Sequence, residues 1–238
     1  MQKIAVVGAG IIGSCTAWSL LKRGYHVDLF DKDTPMAHTS QSSSKLLHGG
    51  LRYLETGQFK LVHKALQARH FWLQQAPHLC HQLELLFPIY KGEGRPKWQI
   101  GLGTKMYDIL AKGSGFPNSQ WLNADEALRR SPNLKAHNLI GAYSFYDGQM
   151  DDYQLGQWVI TQIQNLGGKV FTGQPVNTLD ELADYDAIVN ATGPWVMNLR
   201  TQQPTPPAIE IDWVRGSHLF VNQTLQQQLM FPLPHENR

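Results

Sequence analysis

The stretch VVGAGIIG, residues 6–13, constrains the fold of this chain more than any other. Gly8, Gly10 and Gly13 stand at G-x-G-x-x-G spacing. An apolar run at residues 3–7 precedes them and reads as a strand; residues 11–23 follow with helical periodicity and stop at Gly24. The first glycine of such a turn permits a tight bend, the second lets a diphosphate approach the backbone, and the third lets helix and strand pack closely. Free N–H groups at the helix start then face phosphate with a partial positive charge. Residues 27–30 form a second strand and deliver Asp31 to its end, 18 positions after Gly13, where a carboxylate accepts hydrogen bonds from ribose hydroxyls. This βαβ unit predicts an α/β fold with a dinucleotide at the carboxyl edge of a parallel sheet.

Beyond it the periodicity changes several times. Phe59, Val62, Leu66, Arg69 and Leu73 recur at helical spacing; Pro77 interrupts them, and residues 79–86 read as a second helical stretch. Residues 105–111 look helical, and Asn123 with Asp125 and Glu126 opens a helix that must stop by Pro132. Alternation over residues 139–146 indicates a strand running into Asp147-Gly148, a hairpin-turn signal. Asp151 caps a helix over residues 153–166, Gly167-Gly168 end it, and strands follow at 170–171 and 187–190. A proline-rich crossing at 203–208 then leads to a strand pair within 209–221. The expected architecture is a Rossmann-like, dinucleotide-binding α/β domain from residues 1–75 and 150–205. A mixed-sheet substrate or cap domain comes from 76–149 and 206–238.

A chain of 238 residues buries a proper core without disulfide staples, so Cys15 and Cys80 are expected as reduced thiols. A net charge of +2, with no sustained Lys or Arg run, gives nothing to attract nucleic acid. No uninterrupted apolar run approaches the ~18 residues of a membrane span. Residue 1 leads directly into the first strand with no secretory leader pattern, which suggests a cytoplasmic protein. No metal site is expected.

The choice between NAD and FAD turns on the polar loop at residues 38–44, HTSQSSS, which follows Asp31 where a nicotinamide enzyme would continue its alternation of strands and helices. Ser42, Ser43, Ser44 and the backbone around Gly49 and Gly50 suit the carbonyl and ring-nitrogen groups of an isoalloxazine. His48 and His218 stand in the two stretches suited to approach such a ring, where a histidine can accept a proton near neutrality; in a glycine turn it otherwise serves as a structural hydrogen-bonder. Arg52 carries a planar cationic fork suited to an anionic group; otherwise Arg52 pairs with Glu55 on the surface. Trp195 reads as packing rather than as a flavin-stacking ring.

Taken in order, GAGIIG, SSSKLLHGGLRYLE, MYDIL, NATGPW and VRGSHLFV resemble the FAD-dependent glycerol-3-phosphate dehydrogenases and oxidases, within the D-amino-acid-oxidase-like flavoproteins. The resemblance spans almost the whole chain, and SSSKLLHGGLRYLE is its most specific part. It implies that Gly8, Gly10, Gly13 and Asp31 bind the ADP half of FAD. Ser43, Ser44, Lys45 and Gly50 would lie by the flavin, Ala191 to Gly193 would pass close to the cofactor, and Arg52 would face substrate. The implied reaction oxidises sn-glycerol 3-phosphate to dihydroxyacetone phosphate, with electrons passing to a quinone or to oxygen and a peripheral place on the inner membrane face. An arginine, Arg215, stands where the family commonly has lysine, and Tyr153 departs from the family stretch it sits in. Family segments that close over the flavin would come after residue 238, so the resemblance implies either an amino-terminal half or a shortened relative. Two further readings share the fold: an oxidoreductase acting on an amine, amino acid or 2-hydroxy acid, and an inactive FAD-binding fragment.

Overall fold

The computed structural model describes residues 1–202, 214, 216, 217 and 228–231. In chain order its elements are β1 (Lys3–Val7), α1 (Ile11–Lys22), β2 (His26–Phe30), β3 (Leu46–Leu47), α2 (Phe59–Gln75), β4 (Cys80–Tyr90), α3 (Lys97–Leu110), β5 (Gln120–Asn123) and α4 (Ala124–Arg130). They continue with β6 (Leu139–Met150), α5 (Asp152–Asn165), β7 (Lys169–Phe171), β8 (Ala187–Asn190), α6 (Val196–Arg200) and β9 (Gln228–Leu229). The proline-rich crossing, the strand pair expected within 209–221, Arg215 and His218 lie outside the described residues.

Contacts group these elements into two units, Met1–Lys45 with Asp151–Leu219, and Leu46–Met150 with Phe220–Arg238. The first crossing falls at Lys45 rather than at 75. Leu46 and Leu47 pair with Gln149 and Gly148 of β6, and Val62 and Leu66 of α2 are buried against Leu85, Phe87 and Phe145. Residues 46–75 therefore belong to the second core.

The first unit holds a four-stranded sheet in the order β7-β2-β1-β8, parallel throughout and assembled from the first and third portions of the chain. Val7 lies opposite Phe30 on one side and Asn190 on the other, so three strands end level. Strand alternation splits β1 between two faces. Ala5 and Val7 pack on Leu182 and Leu199, while α1 and α5 pack together on the other side, with the Trp18 and Trp158 rings edge to face at 5.6 Å.

The second unit is built on β6. β4 pairs antiparallel along its length, β3 and β5 share its other edge, and β9 adds a parallel pair outside β4, giving the mixed sheet that was expected. Leu85, Phe87, Ile89 and Phe145 face α2 and α3, with Leu83 packed alongside; Leu86, Leu122 and Ala142 face the other way, towards Ala127 of α4.

Two expectations are corrected here. Residues 79–86, expected as helix, lie almost wholly within the strand β4. Their Leu and Glu content favours helix weakly, but the stripe Leu83, Leu85, Phe87, Ile89 has period two and gains a ladder on β6, so tertiary pairing overrides propensity. Asp147-Gly148, expected as a hairpin turn, lies inside β6. Asp147 is buried and hydrogen-bonded by other elements, and Gly148 pairs with Leu47, so the strand continues to Met150. Helix α3 also begins earlier than its legible half, after Pro96 at its N-cap.

Candidate functional site

The level strand ends of the first unit bring residues 8–13, 31–41 and 191–195 to one edge of the parallel sheet. Gly8 has φ +104°, and a Cβ there would strike the Ala191 carbonyl; a Cβ on Gly13 would strike the Gly8 carbonyl. Both positions exclude any side chain for reasons of space, as the sequence pattern required. Gly10 is the N-cap of α1, in extended conformation and without a side chain to cap the helix. The Ile11 N–H donates instead to Ser40 Oγ at 2.9 Å. No acidic residue lies in the first turn of α1, so its positive end is left for an incoming anion.

Asp31 accepts from the Ala9 N–H at 2.5 Å and from the Asp33 N–H at 2.9 Å. One carboxylate thus ties the glycine turn to the end of β2 and keeps lone pairs for hydroxyl donors. Across the edge, the Ala191 N–H donates to the Val7 carbonyl at 2.8 Å, and Asn190 ties its own turn by accepting from the Thr192 hydroxyl at 2.7 Å. Gly193 (φ +57°) then starts a short 3-10 turn through Trp195. The Trp195 ring packs edge-on to His38, 4.8 Å between centroids, with Lys32 Nζ 3.8 Å from its centre, so packing is what the structure shows for it.

Ser43 and Lys45 converge on a residue the sequence reading passed over. Asp152 is buried and accepts from Ser43 Oγ at 2.8 Å, from the Ser43 N–H at 3.1 Å and from the Lys45 ammonium. Ser43 Oγ in turn accepts from the Lys45 N–H at 2.9 Å. Lys45 has φ +58°, a left-handed conformation that costs on the order of 1 kcal/mol in a non-glycine residue and persists only where surroundings hold it. Burial by itself raises the Asp152 pKa, but the hydrogen bonds from Lys45 and Ser43 outweigh it and leave the carboxyl below its ordinary value. The signal was available: Asp151 accepts from the Gln154 N–H as N-cap of α5, which releases the second aspartate of the doublet for another task. Ser44 is exposed.

In the second unit, His48 is exposed while Gly49 and Gly50 are buried, and Gly50 (φ +76°) opens the 3-10 turn Leu51–Leu54 that carries Arg52. The alternative partner for Arg52 is taken. Glu55 is gripped bidentately by Arg95, Nε to Oε1 at 2.5 Å and Nη2 to Oε2 at 2.8 Å. The Arg52 guanidinium is exposed with no ion pair or side-chain hydrogen bond among the described residues. Beneath this turn lie Arg69, Tyr107 and Asp147, all buried. None carries a site signal in the sequence: Arg69 and Tyr107 look like helix residues, and Asp147 like a turn.

A parallel sheet whose glycine turn, helix start and acidic strand end converge defines a dinucleotide-binding α/β protein. Within that class, the chain belongs to the FAD-dependent oxidoreductase family, which it matches over residues 3–238. It is 30% identical, over its whole length, to the aerobic glycerol-3-phosphate dehydrogenase of Escherichia coli, and 33% identical over 98% of its length to the glycerol-3-phosphate dehydrogenase of Pseudomonas tolaasii. In each case it spans 50% of the relative's length. Among solved structures, a Bacillus halodurans glycerol-3-phosphate dehydrogenase complexed with FAD superimposes with a TM-score of 0.60 at 23% identity, over 85% of this chain and 36% of that one. A glycine oxidase from Geobacillus kaustophilus gives 0.65 at 22% identity, over 85% and 58%. These two likenesses establish the fold. No helix among the described residues is long and apolar enough to cross a membrane.

Proposed function

We propose that this chain binds FAD and carries the amino-terminal part of an enzyme that oxidises sn-glycerol 3-phosphate to dihydroxyacetone phosphate. The cradle fits the cofactor: side chains are excluded at Gly8 and Gly13, the start of α1 has no competing carboxylate, and Asp31 is fixed by two backbone donors. Gly8, Gly10, Gly13 and Asp31 hold the ADP half, with Ala191 and Gly193 against it. Ser43, Ser44, Lys45 and Gly50 belong to the flavin end. When bound, FAD supplies the acceptor for a hydride from the substrate carbon.

The chain's own residues do the rest. Arg52 offers a guanidinium fork that is unengaged among the described residues to the phosphate, and this single observation, that Glu55 is already taken by Arg95, favours a phosphorylated substrate most directly. His48, exposed on its turn, takes the hydroxyl proton as the carbon loses hydride. His218 is the other candidate for that role. Electrons leave for a quinone or oxygen, and a quinone acceptor would bring the protein to a membrane surface from the cytoplasmic side.

The test is an anaerobic absorbance titration of the purified protein. Glycerol 3-phosphate is expected to bleach the flavin bands, while glycerol, glycine and lactate leave them unchanged. Bleaching by glycine or lactate instead would transfer the reading to an amine or 2-hydroxy acid substrate. A coloured protein that none of them bleaches would reduce it to FAD binding alone.

A further inference from the structure

The 48–50 turn rests on a buried relay for which the chemistry above has no use. The Gly49 N–H donates to the Tyr107 hydroxyl at 2.6 Å, with Asp147 Oδ1 behind it at 3.3 Å. Tyr107 donates to that same Oδ1 at 2.7 Å. Arg69 Nη1 donates to it as well, at 2.7 Å, and to the Tyr146 carbonyl at 3.0 Å. All three residues are 2% exposed. Arg69 Nε and Nη2 have no hydrogen-bond partner among the described residues, and the guanidinium carbon lies 4.3 Å from the centre of the Phe116 ring. A buried ion pair with two idle donors is an inefficient way to hold a core together, since an apolar trio of similar volume serves packing at least as well. What an apolar trio cannot do is orient a backbone N–H.

The geometry points to Tyr107 as a positioning residue, whose hydroxyl fixes the 48–50 turn and thereby the direction in which His48 is presented. This inference rests on the reading of His48 as the group that receives the substrate's hydroxyl proton. Three observations carry it. Gly49 is the only residue type that fits, because a Cβ there would lie 2.5 Å from both the Tyr107 oxygen and Leu66 Cδ2. The hydroxyl has one orientation: its proton points to Asp147, which leaves a lone pair towards Gly49. Burial first, and then the charge of Asp147, push the phenol well above its ordinary value and keep that proton in place. His48 also acts electrostatically on Asp147, so turn and relay are close enough to sense one another.

Tyr107→Phe keeps the ring and deletes the acceptor. In nitrogen-15-labelled protein, exchange of the Gly49 amide is expected to quicken by about five- to tenfold, the loss of one net hydrogen bond, while amides in the middle of β6 keep their rates. The His48 ring resonances are expected to move, and with glycerol 3-phosphate the rate of flavin reduction to fall at unchanged KM. Unchanged Gly49 exchange and His48 resonances, or exchange quickened equally along β4 and β6, would overturn the proposal. Should the variant fail to fold, the unsubstituted protein decides: a Gly49 amide as protected as those of central β6 supports the relay, and one that exchanges as fast as an exposed turn refutes it. Exchange and resonance need no turnover, so they stand whether or not glycerol 3-phosphate proves to be the substrate.

Discussion

Three donors converge on one oxygen of Asp147, and only one of them, Arg69, carries a compensating charge. Burial pushes this carboxyl above its ordinary value, against the opposing pull of Arg69 and Tyr107. Removing the charge while keeping the shape strands a buried guanidinium. Asp147→Asn is therefore expected to cost about 3 kcal/mol, seen as a lower urea midpoint at unchanged slope. Asp152 has the opposite sign of shift and so the opposite pH dependence. Its folded value is depressed below 3.8, so the stability it contributes is present above that value and is lost as pH falls through the folded one. Asp147, raised from 3.8, contributes stability below that value that is lost as pH rises through its folded one. In acid titrations followed by circular dichroism, Asp152→Asn should flatten the fall in stability on the acid side. At the glycine turn, Gly13→Ala forces a methyl onto the Gly8 carbonyl. The purified variant is expected to lack visible flavin absorbance while keeping its far-ultraviolet spectrum.

Elements whose ends carry their own chemistry were legible without any tertiary knowledge. Helix α4 is the clearest. Asn123 accepts from the Glu126 N–H at 2.9 Å and Glu126 returns the bond to the Asn123 N–H at 3.0 Å, a closed box four residues long. Asn123→Ala should cost about 1 kcal/mol, measured as a shifted denaturant midpoint. Helix α5 was legible from Asp151 for the same reason, and β1, α1 and β2 from the glycine spacing. Strand β4 was not. Residues 79–86 hold Leu, Gln and Glu, which a helix accepts readily, and what makes them a strand is the ladder to β6, some sixty residues further on in sequence. Asp147-Gly148 failed for a related reason: the pair is a turn signal only when nothing buries the aspartate, and Arg69 and Tyr107 do so from two different helices.

For the molecule as a whole, the motif order along the chain was enough to point to the family, which the match over residues 3–238 establishes. It also picked out residues with a local geometry of their own: glycines in a turn with no room for a side chain, a helix start, and an aspartate that follows a strand and accepts from the Ala9 N–H. Local signals of this kind survive in one dimension, since the residues that need one another are within about thirty positions. Partners 40 to 109 positions apart leave no such trace. That Asp152 anchors Ser43 and Lys45, that Glu55 turns to Arg95 rather than to Arg52, and that Tyr107 reaches under Gly49 are each consequences of which elements pack together. Packing is set by the summed burial of two separate cores, a quantity no single stretch of sequence contains.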